Sequence, residues 1–94
     1  MPYITIIAKF KLLNNPEIVK NELLHLAEST RKEKGCVDYT FYIDNEDPAT
    51  LMLYENWESE EDLKAHMEAD HFVECFKKIE RMFELEVHKL TELV

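Results

Sequence analysis

The sequence predicts an α+β domain in which a single antiparallel sheet carries helices on one of its faces. Three features predict it: period-two segments rich in β-branched and aromatic residues, helical stripes set between them, and a βαββαβ order overall. The chain has 94 residues, a single glycine and no low-complexity stretch, which reads as one domain spanning residues 1–94.

The first strand is expected from Tyr3 to Leu12. Ile4, Ile6, Ala8 and Phe10 alternate with Thr5, Ile7 and Lys9, and Ile7 on the second side predicts that both faces are partly covered. Asn14-Asn15-Pro16 opens a helix, with Asn15 as its cap and Pro16 at its first position. The buried stripe of that helix is Val19, Leu23, Leu26, Ala27 and Thr30. Gly35, following Lys32 and Lys34, is the expected stop, with cations near the negative end of the helix dipole.

Strand two is read from Cys36 to Asp44, with Val37, Tyr39, Phe41 and Ile43 on one side. Asn45-Glu46-Asp47-Pro48 makes a turn, and Thr50 to Glu58 returns as strand three. Ser59 caps the next helix, with Glu60, Glu61 and Asp62 in its first turn and Leu63, Met67 and Asp70 along one line. Asp70-His71 starts a second helical piece whose stripe is Phe72, Cys75, Phe76, Ile79 and Phe83, and Glu84 to Leu93 closes the chain as strand four. Right-handed crossovers turn this order into the split βαβ, or ferredoxin-like, sandwich. The sheet face away from the helices carries more apolar and aromatic residues than solvent tolerates, and so short a chain buries little surface alone. A homodimer is therefore expected.

Twenty acidic residues against eleven basic ones give a formal charge of −9. A field of that sign repels phosphate backbones and anionic lipid, so nucleic acid and membrane surfaces are not expected partners. The apolar runs are too short to span a bilayer, and the amino terminus lacks the basic region and small-residue cleavage site of a signal peptide. Cys36 and Cys75 lie far apart and outside any paired motif. These features predict a cytoplasmic, reduced protein.

Period-two alternation puts Leu51, Leu53, Glu55 and Trp57 on one face of strand three. A glutamate behind two leucines is costly to bury without a partner, unless the strand end simply lets it reach water or cap a helix. His66 is placed at the edge of its helix's buried stripe, within reach of Glu55, which would raise its pKa and hold one tautomer. The plainer alternative is a packing histidine. His71 would shape the cavity or cap a turn; His25 is expected in solvent, and His88 lies in strand four. His66 and His71 are five apart across a helix break, which does not match the spacing of two ligands on one helical face, so no metal is expected. Tyr39, Phe41, Tyr54, Phe72, Phe76 and Phe83 offer walls for a planar ligand or serve as core. Cys75 reads as a packing residue, and Cys36 lacks a basic neighbour other than Lys34, so no cysteine nucleophile is expected.

Two stretches carry a resemblance beyond fold class: EKGCVDY from Glu33 to Tyr39, and YENWESEEDLKAHMEADHF from Tyr54 to Phe72. With the βαββαβ order they make the chain resemble the antibiotic biosynthesis monooxygenase family, especially its quinol monooxygenase-like branch. The resemblance implies a homodimer whose sheets pack into a shared α+β barrel, with strand four crossing toward the partner. It also implies a cavity between sheet and helices in each subunit, and oxidation of a small aromatic phenol or quinol by dioxygen without metal, flavin or haem. His66 would then be the base or proton shuttle and Glu55 its orienting partner, because phenol oxidation needs a base near neutrality. Asn56, Trp57 and His71 would position the ring or the oxygen adduct, and Tyr39, Phe41, Phe72 and Phe76 would line the substrate. Haem-degrading relatives hold iron through a histidine at the position that matches Phe76, and phenylalanine cannot ligate iron. Two alternatives keep the same fold: an isomerase of a small oxygenated metabolite, and a non-catalytic dimeric ligand-binding or stress-associated module.

Overall fold

The alternation read in the first strand is realised in β1 (Ile4–Leu12), where Ile6, Ala8, Phe10 and Leu12 are buried while Lys9 and Lys11 are exposed. The computed structural model, which describes residues 3–93, continues with α1 (Pro16–Thr30), β2 (Cys36–Ile43), β3 (Thr50–Trp57), α2 (Glu60–Glu68), α3 (Asp70–Lys78) and β4 (Phe83–Thr91). β1 pairs with both β3 and β4, and β2 lies outside β3, giving the order β2-β3-β1-β4 with every pair antiparallel. This is the ferredoxin-like α+β fold that the element order predicts.

Register decides what the inner face presents. Tyr39, Glu55, Ile6 and Lys89 form one row across the sheet, and Phe41, Leu53, Ala8 and Val87 form the next. α1 packs on β2 and α3, and α2 packs on β3, so the helices cover the β2–β3 side of this face. The inner side chains of β4 are left half uncovered, with Leu85 at 49% exposure and Val87 at 52%. On the outer face Thr40, Tyr54, Ile7 and His88 make a row, beside one formed by Tyr42, Met52, Lys9 and Glu86. That face mixes exposed Tyr42, Tyr54 and Leu90 with charged neighbours.

Several local expectations are corrected. Asn15 sits in the left-handed region (φ 47°) and makes no side-chain cap bond, so α1 relies on Pro16 at its start. α1 ends at Thr30, ahead of Gly35, and its last turn holds no basic residue. Gly35 instead makes the turn into β2 at φ +82°, where an added Cβ would meet the Asp62 carboxylate. A bulge between Cys36 and Asp38 sends Val37 to solvent, leaving Tyr39 and Phe41 as the inward residues of β2; Ile43 is also exposed at the strand's far end. Phe83 opens β4 rather than closing the helical stripe.

Ser59 caps α2 as expected, its Oγ accepting from the Asp62 N–H at 3.1 Å. The buried line of α2 is Leu63 and His66, and Met67 is half exposed. Ala69 adopts an extended conformation (φ −68°, ψ 144°) that separates α2 from α3. No helix among the described residues is long and apolar enough to cross a membrane.

Candidate active site

Between the inner sheet face and α2–α3 lies a cavity of about 230 Å³. Ile6, Ala8, Phe10 and Leu53 form its floor, Leu63, His66, Phe72 and Phe76 its helical wall, and Leu85, Val87 and Lys89 its open side on β4. Tyr39 and Glu55 complete the lining. Its volume lies below the usual range for drug-sized ligands, roughly 300–1,000 Å³, and its walls are apolar with few polar groups, which suits a small, flat, apolar molecule with one or two polar atoms.

His66 is the best-positioned of those polar groups. The residue is buried, and three rings surround its imidazole: Trp57 at 4.7 Å, Phe72 at 4.9 Å and Tyr39 at 5.3 Å between centroids. Its Nδ1 lies 3.0 Å from Oε2 of Glu33. A carboxylate can only accept, so the proton of the neutral imidazole resides on Nδ1 and Nε2 keeps its lone pair. His66 lines the cavity, and Nε2 is the ring nitrogen left without a hydrogen-bond partner among the described residues. Burial pushes the His66 pKa down, and the Glu33 carboxylate only partly offsets that. The ring is accordingly a neutral base at pH 7.

Glu55 is buried on the same face as Leu51, Leu53 and Trp57, as the alternation predicts. Its partner is not His66: the Trp57 indole N–H donates to Oε1 of Glu55 at 2.8 Å. Burial raises its carboxyl to about 7, against the lowering effect of that hydrogen bond, and the charge of Glu33 raises it further. The expected Glu55–His66 pair is thus replaced by Glu33–His66 and Glu55–Trp57, two pairs that converge on one cavity. Glu33 opens the EKGCVDY stretch, but a residue in the turn after α1 gives no periodic signal that it will swing back against α2.

The remaining candidates divide. Tyr39, Phe72 and Phe76 line the cavity, and Phe76 stacks on Phe10. Trp57 is fully buried behind His66 and touches the site through Glu55. Phe41 packs on Phe10 and Tyr39 and borders a separate hollow with Leu23 and Leu51. Asn56 projects to the outer face, where its amide donates to Asp38 and to the Tyr54 hydroxyl; strand alternation, with Glu55 and Trp57 facing inward, excludes it from the cavity. His71 lies outside the cavity and contacts Oε2 of Glu33 through its Nε2. His25 is exposed, and His88 pairs with Glu86 on the outer face. Burial pushes the thiols of both Cys36 and Cys75 up to about 11, which suits neither as a nucleophile.

Glu33, His66 and His71 bring one ligand-capable atom each within 4.8 Å of one another, so this trio is where a metal ion could be held among the described residues. His66 and His71 sit on separate helices and Glu33 comes from the turn after α1, so no spacing within a single helix reveals the trio.

The profile of the antibiotic biosynthesis monooxygenase family matches residues 15–78, from the start of α1 to the end of α3. The chain belongs to that family. The match spans Glu33, Tyr39, Glu55, His66, His71, Phe72 and Phe76, and so includes most of the cavity's functional groups. The chain is 32% identical over 80 residues to the uncharacterised Bacillus subtilis protein YjcS, covering 83% of this chain and 74% of YjcS. A conserved protein from Methanosarcina mazei is 33% identical in its solved structure, with a TM-score of 0.78 over 94% of this chain and 92% of its own. The Pseudomonas aeruginosa protein PA3566, at 24% identity, superposes with a TM-score of 0.93 over 100% of this chain and 97% of its own, which speaks for the fold.

Proposed function

We propose that the protein is a cofactor-independent monooxygenase of the quinol monooxygenase-like branch, oxidising a small aromatic phenol or quinol with dioxygen. The observation that carries this reading is the His66–Glu33 pair, which leaves Nε2 unprotonated on a histidine that lines an apolar, aromatic-lined cavity.

Nε2 of His66 takes the hydroxyl proton of the bound quinol, and the O–H bonding pair stays on the substrate oxygen. The resulting phenolate is electron-rich enough to reduce dioxygen, and carbon–oxygen bond formation gives a ring hydroperoxide. O–O cleavage then releases water, with a proton supplied to the departing oxygen. One quinol and one dioxygen thus become one hydroxyquinone and one water. Glu55, held by Trp57 and titrating near neutrality, can give or accept a hydrogen bond at the substrate's second oxygen. Tyr39, Phe72 and Phe76 hold the ring and exclude water. Dimerisation through the outer sheet face, with β4 directed toward the partner, would also shelter the half-open side at Leu85 and Val87.

The test is oxygen uptake by metal-free protein with hydroquinone, catechol and 1,4-naphthoquinol, the products being identified by mass. His66→Ala is expected to lose roughly 10²–10⁴-fold in rate, the usual worth of a positioned base. Turnover that survives intact in His66→Ala removes the proposed chemistry. A product formed equally well without oxygen would favour the isomerase reading instead.

A further inference from the structure

Two imidazoles reach the same carboxylate oxygen from different helices. Nδ1 of His66, on α2, lies 3.0 Å from Oε2 of Glu33, and Nε2 of His71, on α3, contacts that same atom. A carboxylate can only accept, so in the metal-free protein both nitrogens are N–H donors converging on one oxygen. The three ligand-capable atoms lie within 4.8 Å of one another. Two imidazole nitrogens and a carboxylate oxygen are a donor set for a borderline divalent transition ion, whereas magnesium and calcium take oxygen ligands.

We propose that Glu33, His66 and His71 bind one zinc ion through Oε2, Nδ1 and Nε2 respectively, and that zinc bound there silences His66 as a base. The silencing rests on His66 acting as the cavity base; the binding does not. Tetrahedral zinc, with bonds near 2.0–2.1 Å, sets its ligand atoms roughly 3.4 Å apart. The spacing of His66 and Glu33 is within a few tenths of an ångström of that. His71 must swing outward from its contact, and its side chain is the most exposed of the three, at 33% against 17% for Glu33 and 2% for His66.

The route in is polar. His71 does not line the cavity but a groove between α1 and α3, shared with Glu22, His25, Ser29, Glu74 and Lys78. An ion, and the water that completes its coordination, can arrive there without crossing the apolar cavity. Two carboxylates against one ammonium favour a cation in that groove, as does the chain's formal charge of −9.

Binding involves no redox change and no co-reactant. Zinc bonds to the lone pair of a neutral imidazole nitrogen, so each ring keeps one proton and carries it on its other nitrogen. In His66 one proton leaves Nδ1 for solvent and one is taken up on Nε2, and the count is unchanged. Nε2 is the atom whose lone pair would take the substrate proton. A zinc-bound His66 therefore holds an N–H where the reaction needs an acceptor.

Zinc binding is measured on metal-free protein by competition with a chromophoric chelator, while NMR on ¹⁵N-histidine-labelled protein follows both ring nitrogens of His66; neither readout depends on turnover. One zinc per chain is expected, with Nδ1 of His66 losing its proton and Nε2 gaining one. His71→Ala and Glu33→Gln should each weaken binding at least about tenfold. His88→Ala should leave it unchanged, because that ring pairs with Glu86 on the outer face. His71→Gln takes the place of His71→Ala should the latter fail to fold. Binding as tight in the His71 and Glu33 variants as in the parent overturns the site, as does a His66 Nδ1 that stays protonated with zinc bound. A loss in His88→Ala as large as in His71→Ala would mark surface chelation and overturn it equally. Oxygen uptake with 1,4-naphthoquinol judges the consequence separately. A filled site should slow the parent at least about tenfold, reversibly on adding chelator, and undiminished turnover overturns the silencing. A parent that binds zinc at the trio yet takes up no oxygen when metal-free keeps the site and discards the monooxygenase.

Discussion

Glu33, in the turn that follows α1, holds Nδ1 of His66 on α2 at 3.0 Å although 33 positions separate them in the chain. The pair sets the tautomer of the ring and partly offsets the lowering of its pKa by burial.

The acidic limb of activity should lie below pH 6.5, the ordinary value for a histidine. Burial favours the neutral ring, so the base form persists to lower pH than in a free imidazole, while Glu33 pulls the other way. Glu33→Gln removes the opposing carboxylate. Its acidic limb is expected to move further down as its rate falls, because the amide no longer enforces the Nδ1–H tautomer. The pH profile of oxygen uptake, alongside NMR titration of the His66 ring, measures both changes. An upward shift in Glu33→Gln would contradict the arrangement.

Glu55 makes stability depend on pH in the opposite sense to a surface carboxylate. Its pKa rises from 4.5 unfolded to about 7 folded, mainly through burial. The fold therefore prefers the protonated acid: its contribution is complete below pH 4.5 and is lost as pH rises through about 7. At about 1.4 kcal/mol per pKa unit the full swing is roughly 3 kcal/mol. Glu55→Gln keeps an acceptor for the Trp57 indole and carries no charge. It is expected to match the parent at pH 4 and exceed it in thermal stability at pH 8. Equal melting temperatures at both pH values would show that the carboxylate finds solvation that its burial does not suggest.

Much of this was legible in the sequence, and the division follows a physical line. Strand alternation set the inward faces of β1 and β3, including Glu55, because period two leaves no freedom once one side is buried. The helix break at Ala69 was visible in the second start at Asp70. What escaped was pairing across elements: nothing periodic reports that Glu33 meets His66 and so leaves Glu55 to the Trp57 indole, whereas the outward turn of Asn56 follows from the alternation itself. Long-range polar contacts of this kind depend on how a turn is aimed, here by Gly35 and by the bulge at Val37.

The outer sheet face should be where two copies meet. Ile7 and Tyr54 are register partners at the centre of the sheet, and the exposed Tyr42 and Leu90 lie in the adjoining rows. Replacing both central residues, Ile7→Lys with Tyr54→Lys, puts two buried cations in each copy's contact and is expected to convert a dimer into a monomer by sedimentation. A parent protein that sediments as a monomer would remove the homodimer and leave the β4 side of the cavity open.

The tightest steric prediction concerns Gly35. Its φ of +82° is a conformation that side chains disfavour, and an added Cβ would stand 2.2 Å from Oδ2 and 2.6 Å from Cβ of Asp62. Asp62 cannot withdraw freely, because its carboxylate accepts from the Ser59 hydroxyl while its own N–H bonds back to that oxygen at the start of α2. The Gly35 carbonyl also accepts from the Glu58 N–H at 2.9 Å, tying this turn to the end of β3. Gly35→Ala is therefore expected to cost more than about 1 kcal/mol, the backbone strain alone accounting for roughly that much. Adding Asp62→Gly should recover the steric part and leave the strain, so the two changes will be non-additive in denaturant unfolding. Because Glu33 lies two residues before Gly35 and His66 one turn after Asp62, the single variant should also disturb the His66 ring signal. Strict additivity, or an unchanged His66 resonance in Gly35→Ala, would show that the turn does not aim Glu33 at its histidine.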